Sequence, residues 1–272
     1  MGKKTITAMS GPVASQLEGC AVLVTRPIGQ QAELIAKLEA LGAAVVSKPM
    51  LRIEGLTDAG SINSLKSKIQ NLAEYDVAIF ISTNAARFGG AWIDQYWPQF
   101  PQKLTVIAIG SSTARSLHEK ILCPVVQPTK GSTSEDVLAL PELSNIAGKR
   151  VVIFRGIGGR ELLATELKTR GAKVDYLEVY SRHSLEVDSN DFYAELREEG
   201  VNILSANSSE TATLLKNGLG KHFSGVSEMP LLVPSARVAQ QARKMGFSKA
   251  VNCEGADPDA FVAALLKIAD TV

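Results

Sequence analysis

Short apolar runs alternate with segments of helical periodicity along most of the chain. Val22–Val24 is typical of a buried strand, and the apolar residues that follow it, Leu34, Ile35, Leu38 and Leu41, recur at the spacing of one helix face. Strand-length runs alternating with helices are typical of parallel βαβ units. The pattern therefore predicts an α/β fold with parallel sheets.

The first βαβ unit of the chain occurs twice. Residues 22–53, VLVTRPIGQQAELIAKLEALGAAVVSKPMLRI, align without a gap with residues 151–182, VVIFRGIGGRELLATELKTRGAKVDYLEVYSR. The pairs of identical residues include Arg26 with Arg155, Gly29 with Gly158 and Gly42 with Gly171. The last pair follows the predicted helices, where a left-handed glycine commonly ends a helix.

A second kind of unit is repeated as well. Residues 76–88, DVAIFISTNAARF, resemble residues 200–212, GVNILSANSSETA, which matches Ser82 with Ser205 and Asn84 with Asn207. Two further pairs of segments match in the same order, 106–117 with 230–242 and 130–140 with 254–265. We therefore expect two similar α/β domains. The extended segments 47–56 and 176–185 occupy matching places and are candidates for strands that link the domains.

Composition narrows the class of protein. The 272 residues are 45% hydrophobic and 21% charged, as in a soluble globular protein of one or two domains, and the net charge of +1 gives no general attraction for nucleic acid or a membrane. The three cysteines stand far apart, which fits neither a disulfide framework nor a metal site and favours the cytoplasm. Residues 1–18 lack the apolar core of a signal peptide, and we expect them to be a disordered leader.

The loops that follow the predicted strands carry the candidate chemistry. Ligands of parallel sheets bind at the carboxyl ends of strands, and these loops are rich in hydroxyl and amide side chains, glycines and arginines. Capping of the next helix explains any one of these serines, threonines or asparagines, whereas together they predict an anion-lined cleft. The candidate ligand-binding residues are Thr25, Arg26, Ser82, Thr83, Asn84, Gly110, Ser111, Thr113, Arg155, Gly156, Arg160, Ser205, Asn207, Ser208, Ser235 and Arg237.

Two of the candidate roles stay open at this point. Arg26 suits anion binding and a structural salt bridge equally well. Tyr180 ends a predicted strand beside the expected domain junction, where an interface tyrosine and a functional one are equally compatible with the pattern. The sequence has no HExxH, GxSxG or Walker-type lysine motif that would indicate a metal site, a nucleophile or a phosphate loop.

The order of the motifs resembles that of the uroporphyrinogen-III synthase family. VLVTRP, FISTNA, AIGSSTA, FRGIGGRELLATEL, VYSR and LLVPSARVAQQA follow one another from about Gly19 to the C-terminus. The resemblance implies two Rossmann-like α/β domains joined by a two-stranded linker. One domain would comprise residues 19–52 and 183–272, and the other residues 53–182.

The resemblance also implies a lyase reaction. The substrate would be hydroxymethylbilane, a linear tetrapyrrole with eight carboxylates, and the product uroporphyrinogen III, formed with inversion of the last pyrrole ring and loss of water. This step belongs to tetrapyrrole biosynthesis (haem, sirohaem or cobalamin) and uses neither a metal nor an organic cofactor. Because the substrate ionises readily to an azafulvenium, we expect catalysis mainly by positioning in the interdomain cleft.

Individual roles follow from the matched motifs. Tyr180 of VYSR corresponds to the tyrosine that would assist departure of water as a weak acid. Thr83, Thr113 and Ser235, together with Arg155, Gly156 and Arg160 of the RGIGGR turn, are implied as substrate-binding residues. We expect a cytoplasmic monomer that acts on this small molecule without a nucleic acid or membrane partner.

Two rival interpretations share the fold. GIGG suggests a nucleotide-dependent Rossmann enzyme, with Asp175 or Glu178 as the acidic residue beyond the turn, but the glycine spacing differs and the repeat partner RPIGQQ lacks these glycines. The second rival is a non-enzymatic two-domain protein that binds a small anionic ligand as a sensor.

Overall fold

The computed structural model describes residues 16–159 and 161–269, which fold into two compact units. Of the described residues, the first unit comprises those up to Arg52 and from His183 onward, and the second comprises those from Ile53 to Arg182. Within the described residues, no helix is both long and apolar enough to cross a membrane.

Strands and helices alternate as the hydrophobic pattern predicts. The strands are β1 (Ala21–Val24), β2 (Ala44–Ser47), β3 (Leu51–Gly55), β4 (Val77–Phe80), β5 (Thr105–Ala108), β6 (Val125–Val126), β7 (Arg150–Gly156), β8 (Lys173–Ser184), β9 (Ile203–Ser205), β10 (Leu231–Val233) and β11 (Ala250–Asn252). The helices are α1 (Ala32–Ala40), α2 (Ala59–Gln70), α3 (Thr83–Tyr96), α4 (Ser111–His118), α5 (Ser134–Leu138), α6 (Leu162–Thr169), α7 (Ser189–Glu198), α8 (Ser209–Leu219), α9 (Ala236–Met245) and α10 (Pro258–Leu266).

Each unit contains one sheet, and the two sheets have the same internal strand order. The first sheet runs β11-β10-β9-β1-β2 and the second β6-β5-β4-β7-β8, with β3 added beside β8. The pairings β1–β2, β1–β9, β4–β7 and β7–β8 are parallel, so their connections must cross over through helices. The predicted α/β fold with parallel sheets is confirmed. The chain crosses between the units within β3 and β8.

Strand pairing bears out the first repeat. Val22 pairs with Val45 in the first sheet, and Val151 pairs with Val174 in the second, as the gapless alignment requires. The glycines after α1 and α6, Gly42 and Gly171, have φ of +90° and +87°, which is the left-handed backbone expected at these helix ends.

Strand pairing corrects the second repeat. Ile203 lies beside β1 at the position that Val77 takes beside β7. The equivalent of Ser82 is therefore Ser208, and the match of Ser82 with Ser205 is wrong by three residues. The similar letters STN and SAN misled the alignment, because Ser205 still belongs to strand β9.

The second sheet lies between two apolar clusters. Phe80 and Phe154 stack with ring centroids 4.1 Å apart, under helices α2, α3 and α4. Helix α3 approaches these rings at Gly89, where a Cβ atom would lie 2.5 Å from Cδ1 of Phe154. Helices α5 and α6 cover the opposite face with Val137 and Leu163. The second unit thus has a core on both faces of its sheet, as parallel sheets require.

The predicted leader is wrong over its last three residues. Residues 1–15 lie outside the described residues, but 16–18 form a turn and Leu17 is fully buried against Leu34 and Phe261. The Leu17 amide donates to the carbonyl of Leu41 at 3.0 Å. A single leucine in a polar stretch was enough to extend the core by one turn.

Replacement of this leucine tests the correction. We expect Leu17→Ala to lower the free energy of unfolding by about 2–5 kcal/mol, because it leaves a cavity in a packed cluster. Urea denaturation measures the change. Leu122→Ala is the control, since Leu122 is 98% exposed and its loss should change stability by less than about 0.5 kcal/mol. Equal stabilities of the two variants would show that residue 17 is not part of the core.

Candidate functional site at the carboxyl edges of the sheets

Three serines at the carboxyl edges of the sheets begin helices. Ser82, Ser208 and Ser235 have extended backbones, and their Oγ atoms accept hydrogen bonds from the amides three residues later, at 2.9, 3.1 and 3.3 Å. Each is an N-cap, which the sequence offered as the simpler explanation. Capping uses a lone pair, so the hydroxyl proton is not consumed by the cap. The Ser208 proton is used within the protein, because Ser208 Oγ lies 3.0 Å from Thr211 Oγ1 and the Thr211 hydroxyl donates to Asn207.

Two of the predicted binding residues connect strands instead. The Thr25 hydroxyl donates to the carbonyl of Ser205 at 2.6 Å, and the Ser205 hydroxyl donates to the carbonyl of Leu23 at 2.8 Å. Both side chains are buried. These bonds fasten the ends of β1 and β9, so we no longer expect Thr25 or Ser205 to contact a ligand through the side chain.

Arg26 has a structural environment. The side chain is buried, Nη2 donates to the carbonyl of Ala256 at 2.8 Å, and Cζ lies 4.8 Å from the centroid of the Phe261 ring. Burial lowers the pKa of the Arg26 guanidinium, and the nearby Asp257 carboxylate partly offsets this effect. Of the two roles left open for Arg26, the structure favours the structural one.

Arg155 is also occupied internally. Its fully buried guanidinium contacts Glu161 Oε1 at 3.0 Å and donates from Nε to the Gly156 carbonyl at 3.3 Å and from Nη2 to the Gly158 carbonyl. Its Cζ lies 4.5 Å from the centroid of the Tyr176 ring, and the Tyr176 hydroxyl donates to Glu161. That hydroxyl and then Arg155 lower the pKa of Glu161. Arg155 therefore shapes its loop, which corrects the expectation that it binds a carboxylate.

The space left by Gly156 is filled by the protein itself. A Cβ atom at Gly156 would lie 2.5 Å from Cε2 of Tyr180, and one at Gly159 would lie 2.9 Å from Nη2 of Arg155. Gly156 is a predicted substrate-binding residue, but its missing side chain makes room for a tyrosine ring of the protein and not for a ligand. The suggestion of a nucleotide loop loses its basis for the same reason.

A shift in register places Tyr180 over this glycine. Arg155 pairs with Glu178, but the next residue, Gly156, pairs with Tyr180, so β8 carries one extra residue. Leu177 belongs to the apolar cluster beneath α3, and the extra residue turns Tyr180 toward the same cluster. The tyrosine ring is thereby packed against the backbone at the carboxyl edge.

The phenol oxygen of Tyr180 meets the start of a helix. Tyr180 Oη lies 3.2 Å from Ser82 Oγ, and its ring stacks on Phe88 with the centroids 5.8 Å apart. The Ser82 oxygen accepts the amide of Ala85 and keeps both its proton and a second lone pair, so either hydroxyl can donate in the contact with Tyr180. The structure thus brings together Ser82, Gly156 and Tyr180 from three separate segments.

The other predicted residues have simpler surroundings. Thr83, Ser111 and Arg237 are exposed in first turns of helices, and Asn84 is half-buried. Asn207 accepts from the Thr211 hydroxyl at 2.8 Å. Gly110 begins α4 and Thr113 is buried within it. Arg160 lies outside the described residues.

Sequence reasoning missed Phe88, which contacts Tyr180, and Arg87, which contacts Phe88. The ring of Phe88 stacks on that of Tyr180. The guanidinium of Arg87 lies over the ring of Phe88, with Cζ 4.5 Å from its centroid. Both residues lie on α3 about one helical turn after Thr83 of the STN motif. An arginine and a phenylalanine at that spacing were the sequence signal that could have indicated them.

These features define a class of protein: two parallel α/β units whose polar groups gather at the carboxyl edges of the sheets, where such folds bind small ligands. The family model described as "Uroporphyrinogen-III synthase HemD" matches residues 32–263, and the chain belongs to the uroporphyrinogen-III synthase family. The predicted resemblance is confirmed.

Curated relatives agree with this assignment. The chain is 33% identical over 248 residues to uroporphyrinogen-III synthase of Salmonella typhimurium, a match that covers 90% of this chain and 99% of the relative. It is 32% identical over 251 residues to that of Escherichia coli, with the same coverages of 90% and 99%. The expectation of an enzyme of tetrapyrrole biosynthesis is confirmed.

Solved structures agree on the fold. A mutant uroporphyrinogen III synthase of Thermus thermophilus superimposes with a TM-score of 0.63 at 18% identity, covering 93% of this chain and 100% of that one. The corresponding synthetase of Helicobacter pylori gives 0.52 at 13% identity, covering 92% and 99%.

The contact between Gly156 and Tyr180 gives a stability prediction. The φ angle of Gly156 is not positive, so Gly156→Ala strains no backbone angle, but the new methyl group overlaps the Tyr180 ring. We expect a loss of about 1–3 kcal/mol in the free energy of unfolding, measured by urea denaturation. The loss should shrink in a Tyr180→Ala background, where the ring is absent.

Gly60→Ala is the matched control. Its Cβ atom would lie 3.5 Å from the nearest atom outside its chain neighbours, Oδ2 of Asp58, which is ordinary contact. This variant should keep or slightly raise stability, because alanine suits a helix. A Gly156→Ala protein as stable as Gly60→Ala would contradict the packing described here.

Proposed function

We propose that the protein is a lyase that converts hydroxymethylbilane to uroporphyrinogen III, with inversion of the last pyrrole ring and loss of water. Membership of the family supports the reaction. The observation that carries the chemical part is the contact of Tyr180 Oη with Ser82 Oγ at the carboxyl edge of the second sheet.

In this proposal, Tyr180 donates a proton to the departing hydroxyl of the substrate. The C–O bond breaks, its electron pair leaves with the oxygen as water, and the pyrrole nitrogen stabilises the remaining cation as an azafulvenium. Ser82 donates its own proton to Tyr180 Oη, which supports that oxygen as it releases its proton. Ring closure then needs no protein nucleophile, so most of the catalytic effect comes from holding the chain of pyrroles in one conformation.

We further propose that helix starts in each unit bind the carboxylates of the substrate. Amides and hydroxyls at helix N-termini suit carboxylates, because the helix dipole favours negative charge there. The proposed contacts are Thr83, Asn84, Gly110, Ser111 and Arg160 in the second unit and Asn207, Ser208, Ser235 and Arg237 in the first. Arg26 and Arg155 are positioning residues that hold the shapes of the corresponding loops.

We also propose that the enzyme acts as a cytoplasmic monomer with this small molecule as its partner. Unpaired cysteines suit a reducing compartment, and a net charge of +1 gives no general attraction for polyanions. Light scattering tests the oligomeric state against the chain mass of 29.0 kDa, and a value twice as large would refute the monomer.

The reaction is tested by supplying hydroxymethylbilane to the purified protein. The products are oxidised to porphyrins, and the type I and type III isomers are separated by chromatography. We expect isomer III in excess and formed faster than the spontaneous product. Isomer I alone, at the rate seen without protein, would refute the proposed reaction.

The role of Tyr180 is tested by Tyr180→Phe, which removes the acidic proton and keeps the ring. General acids contribute about 100- to 10,000-fold, but this substrate ionises readily, so we expect kcat to fall by at least about tenfold. Tyr75→Phe is the matched control, because Tyr75 is a buried tyrosine of the same unit whose hydroxyl donates to Asp175 at 3.0 Å. Undiminished turnover of Tyr180→Phe would exclude the acid role while leaving the reaction itself in place.

A further inference from the structure

Arg87 differs from the buried arginines already described. It lies on α3 one helical turn after Thr83, and its side chain is half-buried. Its Nε atom is buried and has no hydrogen-bond partner among the described residues. Arg155, by contrast, contacts a carboxylate and two carbonyls. The Nε atom of Arg26 is also buried without a partner among the described residues, but Arg26 donates from Nη2 to the Ala256 carbonyl, and the nearby Asp257 carboxylate partly offsets the effect of burial on its pKa.

The surroundings of Arg87 are aromatic. Its Cζ lies 4.5 Å from the centroid of the Phe88 ring, which in turn stacks on Tyr180. Burial lowers the pKa of the Arg87 guanidinium, and no charged group in the described part of the chain opposes that effect. A partly desolvated guanidinium without a carboxylate bears a desolvation cost that a paired carboxylate would offset.

We propose that Arg87 binds a carboxylate side chain of the substrate next to Tyr180. The inference rests on the proposed function, because the substrate supplies the anion that this part of the protein lacks. The planar guanidinium presents parallel donors that match the two oxygens of a carboxylate, so it can fix the orientation of the attached pyrrole as well as attract its charge. The contact through Phe88 then links the position of that pyrrole to the position of the proposed acid.

The central test compares Arg87→Met with the wild-type enzyme. Methionine keeps an unbranched apolar stem over Phe88 and removes the charge. We expect KM for hydroxymethylbilane to rise about tenfold, as for loss of a hydrogen-bonded ion pair, with a smaller change in kcat. The melting temperature should stay the same or rise, because an uncompensated charge has been removed.

Two further variants separate charge from geometry. Arg87→Lys keeps the charge but lacks the planar fork, and its KM should lie between those of Arg87→Met and the wild type. Arg115→Met is the matched control, since Arg115 is exposed on α4 of the same unit, and its KM should be unchanged. Added salt should raise KM of the wild type more than that of Arg87→Met, because it screens the proposed ion pair.

A binding measurement keeps this inference independent of turnover. Uroporphyrin III, which carries the same carboxylate side chains, is titrated against the protein while tryptophan fluorescence is followed; Trp92 and Trp97 lie in and directly after α3. We expect about tenfold weaker binding by Arg87→Met. Equal Kd values for the two proteins would overturn the inference, as would a lower melting temperature with unchanged KM. Failure of the wild type to form isomer III would instead refute the proposed reaction, and the titration would still decide the role of Arg87.

Discussion

In each sheet, parallel pairing brings the strand-to-helix loops to one edge, and every candidate residue of this protein lies in those loops or beside them. The same pairing has a cost, because polar groups that enter these edges must be satisfied or left in solvent. Thr25 and Ser205 satisfy backbone carbonyls at the end of two strands, and three serines satisfy amides at helix starts. Many of the polar side chains in these loops thus form hydrogen bonds to the backbone at the carboxyl edges of the sheets.

Arg155 and Arg87 differ in whether the fold itself compensates the charge of the guanidinium. Arg155 is fully buried, yet Glu161 and two loop carbonyls surround it, so its charge is compensated within the fold. Arg87 is only half-buried but has no such compensation among the described residues. A ligand with many carboxylates could compensate the charge of Arg87, whereas the charge of Arg155 is already compensated by Glu161.

The sequence was sufficient for the fold, because hydrophobic periodicity and the gapless repeat both depend on which residues are buried. Side-chain direction at the strand ends could not be predicted in the same way. Ser205 is the last residue of β9 and is buried like the rest of that strand, while Ser208, three residues later, caps the next helix. The extra residue of β8 that turns Tyr180 over Gly156 has no signature in the repeat, since residues 22–53 and 151–182 align without a gap. Arg87 was missed because it follows the loop motif by one helical turn.

Because the βαβ unit is duplicated, the first copy, residues 22–53, can be compared with the second, residues 151–182, to find what is particular to the second. In the first unit the amide of Ile28 donates to the carbonyl of Leu51, and in the second the amide of Ile157 donates to the carbonyl of Tyr180. This backbone hydrogen bond is therefore shared by the two copies, although β2 and β3 of the first correspond to the single strand β8 of the second. The side chains differ, because Leu51 corresponds to Tyr180 and Pro27 corresponds to Gly156. In the first copy, Leu51 and Pro27 are sufficient to pack this position. The second copy adds a phenol at the sheet edge and removes the side chain that would block it, a joint change that a purely structural role does not require.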